Sequence, residues 1–201
     1  MKLLLRIGIS MGALALTAAA AQPPPQPPPV AQKFLRLFDL LRSADTSRQA
    51  GRYQHVSFQM SDAEINDYMI YALKTTPRPG LDSVNVKLYP NNYISTFTVI
   101  DFDAVERWKP GTIPVLLRPV LKGKKSVWVD YRFQANDGKA TFSVEKAYYQ
   151  DVRLPAFLVE KVIQIVAARQ PEKYDTSKPL PIPFGLAKVW TTPDHTVMGQ
   201  N

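Results

Sequence analysis

The sequence of 201 residues contains no cysteine and only two histidines. The absence of cysteine excludes disulfide bonds, thiol catalysis, thiolate metal sites and lipid attachment at an N-terminal cysteine. His55 and His195 are far apart in the sequence and have no acidic neighbours at ligand spacing, so we expect no metal site. The folded domain must therefore be stabilised by its own hydrophobic core.

Motifs for common enzyme chemistries are also missing. The sequence has no Gly-x-Ser-x-Gly nucleophile motif and no glycine-rich phosphate loop. Asp101, Asp103 and Glu106 are acidic residues that could support acid–base chemistry or hold a cation, which leaves open an enzyme that acts on a polymer of the cell envelope. The simpler interpretation is that Asp101 and Asp103 are solvated charges at a strand end. We expect neither enzymatic activity nor a cofactor.

The N-terminus has the features of a secretory signal. Lys2 and Arg6 precede an apolar stretch from Ile7 to Ala20, and the small residues Ala19-Ala20-Ala21 fit a signal-peptidase site. The stretch is shorter than the roughly 20 apolar residues of a membrane-spanning helix, although a retained anchor is the alternative. We predict a signal peptide at 1–21 and export to the periplasm or cell envelope.

The chain that remains after cleavage is basic. Removing residues 1–21, whose only charged side chains are Lys2 and Arg6, leaves 180 residues with 23 basic and 17 acidic side chains, a net charge of +6. Such a chain favours anionic surfaces, and export makes nucleic acid an unexpected partner. Residues 22–29 read QPPPQPPP, which predicts a stiff polyproline II spacer. The length of 30–201 corresponds to a single domain.

Three helices are predicted from periodicity and capping. Apolar residues recur at three- and four-residue steps within Val30–Gly51, which is typical of an amphipathic helix. A second helix begins at the capping box Ser61-Asp62-Ala63-Glu64, and Pro77 limits it. The third, Leu154–Arg169, is apolar around most of its circumference, which indicates a buried helix.

Long alternating runs predict the sheet. Leu81–Tyr89 and Tyr93–Phe102 form one pair of strands. Val127–Phe133 and Ala140–Tyr148 form a second pair around the turn Asn136-Asp137-Gly138, where Asp-Gly accepts positive φ. Shorter strands are predicted at 53–60 and 187–192. The fold class is therefore α+β, with a long curved antiparallel sheet wrapped around one or two amphipathic helices and enclosing an apolar groove.

The order of these elements resembles a known family. The phrases that carry the resemblance are Glu64-Ile65-Asn66, Asn136-Asp137-Gly138, Leu154-Pro155 and Leu180-Pro181-Ile182-Pro183-Phe184-Gly185-Leu186. The pattern resembles the secreted bacterial lipid-binding family that includes the actinobacterial lipomannan elongation factor, and more distantly half of a tubular lipid-binding domain. It covers roughly Tyr53 to Val197 and omits the proline-rich spacer and the first helix. The resemblance implies a lipid-binding, non-enzymatic protein.

The residues also predict an apolar groove without reference to the family. Strands with apolar residues on both faces, together with a helix that is apolar nearly all round, need either two cores or one core and a ligand. A sheet wrapped around the third helix would leave an apolar channel for an acyl chain, although some of its candidate residues are expected to be ordinary core. The candidates are Phe97, Val99, Val129, Tyr131, Phe142, Val144, Phe157, Val162 and Val166.

The apolar segment Ile113–Leu121 is followed by a cluster of lysines. Apolar side chains that dip into a bilayer, with lysines at the anionic headgroups, would make a membrane contact; packing of this segment on the core is the alternative. The candidate contact residues are Ile113, Leu116, Leu117, Lys122, Lys124 and Lys125.

These observations predict the binding or transfer of a phospholipid or another acyl-chain lipid in the bacterial cell envelope. The expected partner is an anionic phospholipid, with peripheral membrane contact. The alternative is an exported protein-interaction or scaffold domain whose apolar surface docks a partner.

Overall fold

The computed structural model describes residues 26–113, 115–155, 157–160, 164 and 178–201. The predicted signal peptide, the first half of the spacer (22–25), Val162 and Val166 lie outside the described residues, as does most of the predicted helix Leu154–Arg169. Helical backbone is described at 157–160 and 164. Leu154, where that helix was expected to begin, instead ends a short strand.

Two antiparallel sheets organise the described chain. The larger sheet has six strands: β2 Leu81–Tyr89, β3 Tyr93–Asp101, β4 Lys124–Asn136, β5 Lys139–Tyr149, β6 Val152–Leu154 and β7 Leu180–Pro181. Their order in the sheet is β2-β3-β4-β5-β6, and β7 also pairs with β5. The smaller has the order β1-β9-β8, made from β1 Ser57–Ser61, β8 Lys188–Thr191 and β9 Thr196–Gln200. The fold is α+β, as predicted, and the six-stranded sheet does not close into a barrel.

Helices α1 (Pro29–Gln49) and α2 (Asp62–Thr75) form where the sequence predicts them. The capping box at the start of α2 is present in full: Ser61 Oγ accepts from the Glu64 backbone N–H at 3.2 Å, and the Glu64 carboxylate accepts from the Ser61 N–H at 3.0 Å. The Asp-Gly hairpin between β4 and β5 is confirmed, with positive φ at Asp137 and Gly138.

A short helix between β3 and β4, α3 (Phe102–Trp108), was not predicted. The sequence suggested that the preceding strand continues to Phe102. Instead, the Asp101 carboxylate accepts from the Ala104 backbone N–H at 3.0 Å and caps a helix at the point where β3 ends. The predicted last strand (187–192) corresponds to β8, and a further strand that was not predicted, β9, follows it. β9 forms a hairpin with β8 and also pairs with β1.

The strand register defines two faces of the six-stranded sheet, because directly paired residues share a face. We call one of them the inner face, since it packs on α1 and on the small sheet. The inner face is mostly apolar, with Thr96, Thr98 and Lys125 among its polar members. Its apolar members include Val86, Leu88, Ile94, Val129, Tyr131, Phe133, Ala135, Phe142, Val144, Ala147 and Tyr149. The opposite side is called the outer face.

The two sheets are joined through the turn between β2 and β3. The backbone N–H of Asn92 donates to Thr191 Oγ1 at 2.8 Å, and the Thr191 N–H donates back to Asn92 Oδ1 at 2.8 Å. The Thr191 hydroxyl also donates to the Tyr89 carbonyl at 2.5 Å. These bonds place the small sheet and α1 over one end of the inner face.

Candidate functional site

Both ends of the inner face are covered by the protein itself. At one end, Leu88, Phe133 and Ala135 are buried in the cluster that contains α1. At the other end, Ala147 and Tyr149 are buried, and the Phe102 ring lies 6.1 Å from the Tyr149 ring. The part of the inner face between these ends is therefore the region where a ligand could lie along the sheet.

We call this middle region the central apolar face and define it by Thr96, Val129, Tyr131, Phe142 and Val144. Phe142 is exposed and the other four are half-buried. The rings of Tyr131 and Phe142 lie 6.3 Å apart, and burial raises the pKa of the Tyr131 phenol. The Tyr131 phenol also forms a hydrogen bond with Thr96, which lowers its pKa in part. The region is less completely covered than either end and suits the alkyl part of a ligand.

Of the seven predicted groove residues that the structure describes, four lie together here: Val129, Tyr131, Phe142 and Val144. The structure separates them from Phe97 and Val99, which pair with Trp128 and Ser126 on the outer face. The prediction that all of these residues line one surface is corrected, because both faces of β3 are apolar and only the register assigns them. Phe157 is described and is 71% exposed.

The outer face carries an aromatic row that the sequence analysis did not single out. Phe97, Trp128 and Tyr148 are paired across three adjacent strands, and Phe97 and Trp128 are 44% and 46% exposed. The Trp128 indole N–H donates to Ser95 Oγ at 2.6 Å and to Asp130 Oδ1 at 2.8 Å. The two-residue spacing of Trp128 and Asp130 on one strand was the available signal.

Asp130 is a buried carboxylate beneath this row. Asp130 accepts a hydrogen bond from Trp128 and forms another with the Tyr93 side chain. Burial of Tyr93, together with its hydrogen bond to Asp130, raises the pKa of Tyr93 to about 12. The guanidinium of Arg132 lies 5.6 Å from the centre of the Tyr93 ring and pairs with Glu145 at 3.2 Å. These contacts hold the aromatic row in place.

The predicted membrane segment follows α3 at the end of the sheet. Ile113 is buried, so it anchors the segment and is not available as a contact residue. Leu117 is half-buried in a 3-10 turn (Val115–Leu117), and the Leu116 side chain lies outside the described part. Lys122 and Lys124 are exposed and Lys125 is half-buried. Lys124 pairs with Asp82 at 2.6 Å, and this hydrogen bond raises the pKa of Lys124.

Among the side chains that the structure describes here, the large exposed apolar ones are different from those predicted. They are Trp108 (53% exposed), Val115 (72%) and Val120 (59%). The hydropathy of a segment does not show which of its side chains point inward. Ile113 was therefore predicted as a contact residue, whereas Val115 and Val120 were not.

Of the three acidic residues considered for catalysis, Asp101 and Glu106 have contacts that stabilise the fold. Asp101 caps α3, and Asp103 is exposed. The Glu106 carboxylate accepts from the backbone N–H groups of Gly111 at 2.8 Å and Ile113 at 3.1 Å, as well as from the Arg118 side chain at 2.7 Å. Within the described residues, no group of three or more histidine or acidic side chains could hold a metal ion.

No protein-family model, curated protein or solved structure matches this chain. The resemblance to the secreted lipid-binding family therefore stays a prediction. Among the residues that the structure describes, no helix has both the length and the apolar character needed to cross a membrane.

Proposed function

We propose that this protein is exported and binds a phospholipid or another acyl-chain lipid in the bacterial cell envelope, without catalysing a reaction. The observation that carries the proposal is the central apolar face. It lies between two covered ends of the sheet, and its residues other than Phe142 are half-buried. The predicted signal peptide, the basic charge after cleavage and the family resemblance support the same function.

The energetics of an acyl chain suit a carrier. Each CH₂ group removed from water contributes about 0.8 kcal/mol, so a chain of about 16 carbons gains on the order of 13 kcal/mol relative to water. Relative to the interior of a bilayer, which is equally apolar, the gain is close to zero. A lipid on the central apolar face is therefore protected from water and can still return to a membrane.

The proposal is tested by blocking the central apolar face with a large side chain. Val144 and Val99 are both half-buried valines on strands of the same sheet, but they lie on opposite faces. Val144→Trp should lower the uptake of a fluorescent phospholipid from anionic vesicles, whereas Val99→Trp should leave uptake near the wild-type level. Thermal unfolding and circular dichroism of both variants establish that they are folded.

Equal uptake by folded Val144→Trp, folded Val99→Trp and the wild-type protein would refute binding at the central apolar face. A loss in both variants would show that the matched control is not neutral and would place the effect elsewhere in the sheet.

The aromatic row on the outer face favours the alternative function, a scaffold or protein-interaction domain. Exposed aromatic side chains are enriched where proteins bind one another. If this alternative holds, Trp128→Ala should abolish the binding of an envelope protein partner while lipid uptake is unchanged. If lipid binding is the function, Val144→Trp should reduce lipid uptake more than Trp128→Ala does.

A further inference from the structure

Three exposed apolar side chains belong to the segment of the chain between β3 and β4. Trp108 ends α3, Val115 begins the 3-10 turn and Val120 follows that turn. All three are more than half exposed. We call this group the apolar tip. Exposed apolar side chains grouped in one segment mark a binding surface more often than single exposed ones do.

Hydrogen bonds order the loop that carries the apolar tip. Glu106 accepts hydrogen bonds from the backbone of Gly111 and Ile113 and from Arg118, so one carboxylate ties together both ends of the turn. Ile113 is buried and fixes the loop to the core. Since part of this segment is already packed inward, the exposure of the tip residues is a feature of a folded loop.

The surroundings of the apolar tip are strongly basic. Residues 102–125 contain six basic and two acidic side chains, a net charge of +4. One of the two acids, Glu106, is already paired with Arg118 at 2.7 Å. Lys124 pairs with Asp82, which lies outside this segment, at 2.6 Å, so the segment and this partner together carry a net charge of +3.

This combination identifies the chemistry of the partner. Tryptophan favours the boundary between headgroups and acyl chains, and each basic residue near an anionic membrane surface contributes roughly fivefold to binding. A specific protein interface buries roughly 800 Å² on each side, far more than three side chains supply. The tip therefore suits an anionic lipid surface better than an acidic protein.

We propose that the apolar tip, Trp108, Val115 and Val120, inserts into the headgroup region of an anionic bilayer and docks the protein there. This inference rests on the proposed lipid-binding function and names the membrane contact for it. The tip is connected to the inner face: the Tyr149 hydroxyl donates to the Val120 carbonyl at 2.8 Å, and Tyr149 lies at the end of that face. Docking thus brings one end of the inner face to the membrane.

The test compares two triple variants of the mature protein in vesicle co-sedimentation. Vesicles are made of phosphatidylcholine alone or of an equimolar mixture with phosphatidylglycerol. In the tip variant, Trp108, Val115 and Val120 are replaced by serine. The matched control replaces Leu35, Leu40 and Ile70, which are 39%, 42% and 52% exposed on α1 and α2, by serine as well.

The wild-type protein and the matched control should bind the anionic vesicles, and the tip variant should bind them at least about tenfold more weakly. Lys122→Glu should weaken binding at least about fivefold at low salt. Binding of the tip variant equal to that of the control would overturn the inference, as would equal binding of the wild-type protein to both kinds of vesicle.

A spectroscopic measurement keeps the inference testable if the triple variant does not fold. In a Trp128→Phe/Trp190→Phe background, Trp108 is the only tryptophan, and its emission should shift to the blue when anionic vesicles are added. An unchanged emission maximum would contradict insertion.

The failure of docking and the failure of lipid binding can be told apart. Lipid uptake from detergent micelles requires no membrane contact, so a tip variant that takes up lipid from micelles but does not sediment with vesicles supports both proposals. A wild-type protein that sediments with anionic vesicles but takes up no lipid would contradict the carrier function and leave the docking surface standing.

Discussion

Asn66 on α2 is expected to be important for the stability of the six-stranded sheet. Its side-chain amide donates to the Val86 carbonyl at 2.8 Å, and its side-chain oxygen accepts from the Val86 backbone N–H at 2.7 Å. β2 is an edge strand of the sheet. Asn66 therefore satisfies both backbone groups that Val86 presents at the open edge, in the way that another strand would.

Replacing Asn66 by leucine removes both hydrogen bonds and leaves two half-buried backbone groups without a protein partner. Each such group costs about 1–3 kcal/mol. Because water reaches an edge strand in part, we expect a total loss of roughly 2–3 kcal/mol in the free energy of unfolding. For a domain of this size that loss corresponds to a decrease in Tm of roughly 5–10 °C. Urea and thermal unfolding measure both quantities.

Asn66→Asp provides a second test with a defined dependence on pH. The ionised carboxylate of this variant can accept from the Val86 N–H but cannot donate to the Val86 carbonyl, whereas the protonated acid can do both. The folded protein should thus raise the pKa of the new carboxyl above the value of about 3.9 in the unfolded chain. The variant is then most stable relative to wild type below that pH and loses stability as the pH rises.

Asn85 is the matched control, because it is exposed on the same strand beside Val86. Asn85→Leu and Asn85→Asp should change the free energy of unfolding by less than about 0.5 kcal/mol. The reasoning is refuted if Asn66→Leu is as stable as Asn85→Leu, or if the relative stability of Asn66→Asp does not depend on pH.

Two further predictions concern α2 and the small sheet. The hydrogen bond from Lys33 at 2.5 Å lowers the pKa of Glu64 below 4.5, so its stabilising effect should be complete above that pH and be lost as the pH falls below it. Lys33→Met should therefore cost up to about 1 kcal/mol at pH 7 and less at pH 3 in urea unfolding, and an equal cost at both would contradict this. A Cβ at Gly199 would lie 2.3 Å from the Phe58 ring, so Gly199→Ala should destabilise the protein by about 1–3 kcal/mol. The Phe58→Leu background should recover part of this loss in thermal unfolding, and no recovery would refute the steric explanation.

Local signals in the sequence predicted much of the secondary structure. The apolar period of α1, the capping box of α2 and the Asp-Gly hairpin depend on residues that are close in the chain, and all three are confirmed. The start of α3 depends on the side chain of Asp101, which was interpreted as a solvated charge. Aspartate is a common residue directly before a helix, and Asp101 stands near the end of the predicted strand, which was the available signal for a cap.

The composition of the candidate site was predicted less well, because faces depend on long-range pairing. Phe97 and Val99 alternate with apolar neighbours on β3, and only the pairing with β4 places them on the outer face. The burial of Ile113, in contrast to the exposure of Val115, likewise depends on how the loop packs on the rest of the domain. Register and loop packing are tertiary properties that hydropathy alone does not encode.

The phrases that carry the family resemblance have structural roles in this protein. In the first, Glu64 closes the capping box and Asn66 bonds the edge strand. In the phrase Leu180–Leu186, Phe184 and Gly185 both have positive φ, while Ile182 and Leu186 are buried. These phrases therefore have structural explanations within this protein, and the lipid-binding proposal depends on the central apolar face.

The most direct test of that proposal is native mass spectrometry of the mature protein, purified from a bacterial envelope without detergent. If the protein binds lipid, the spectrum should contain an adduct with the mass of a phospholipid or similar lipid, which is lost when the protein is denatured. A mass equal to that of the polypeptide alone, together with no uptake of fluorescent lipid from anionic vesicles, would contradict the proposal.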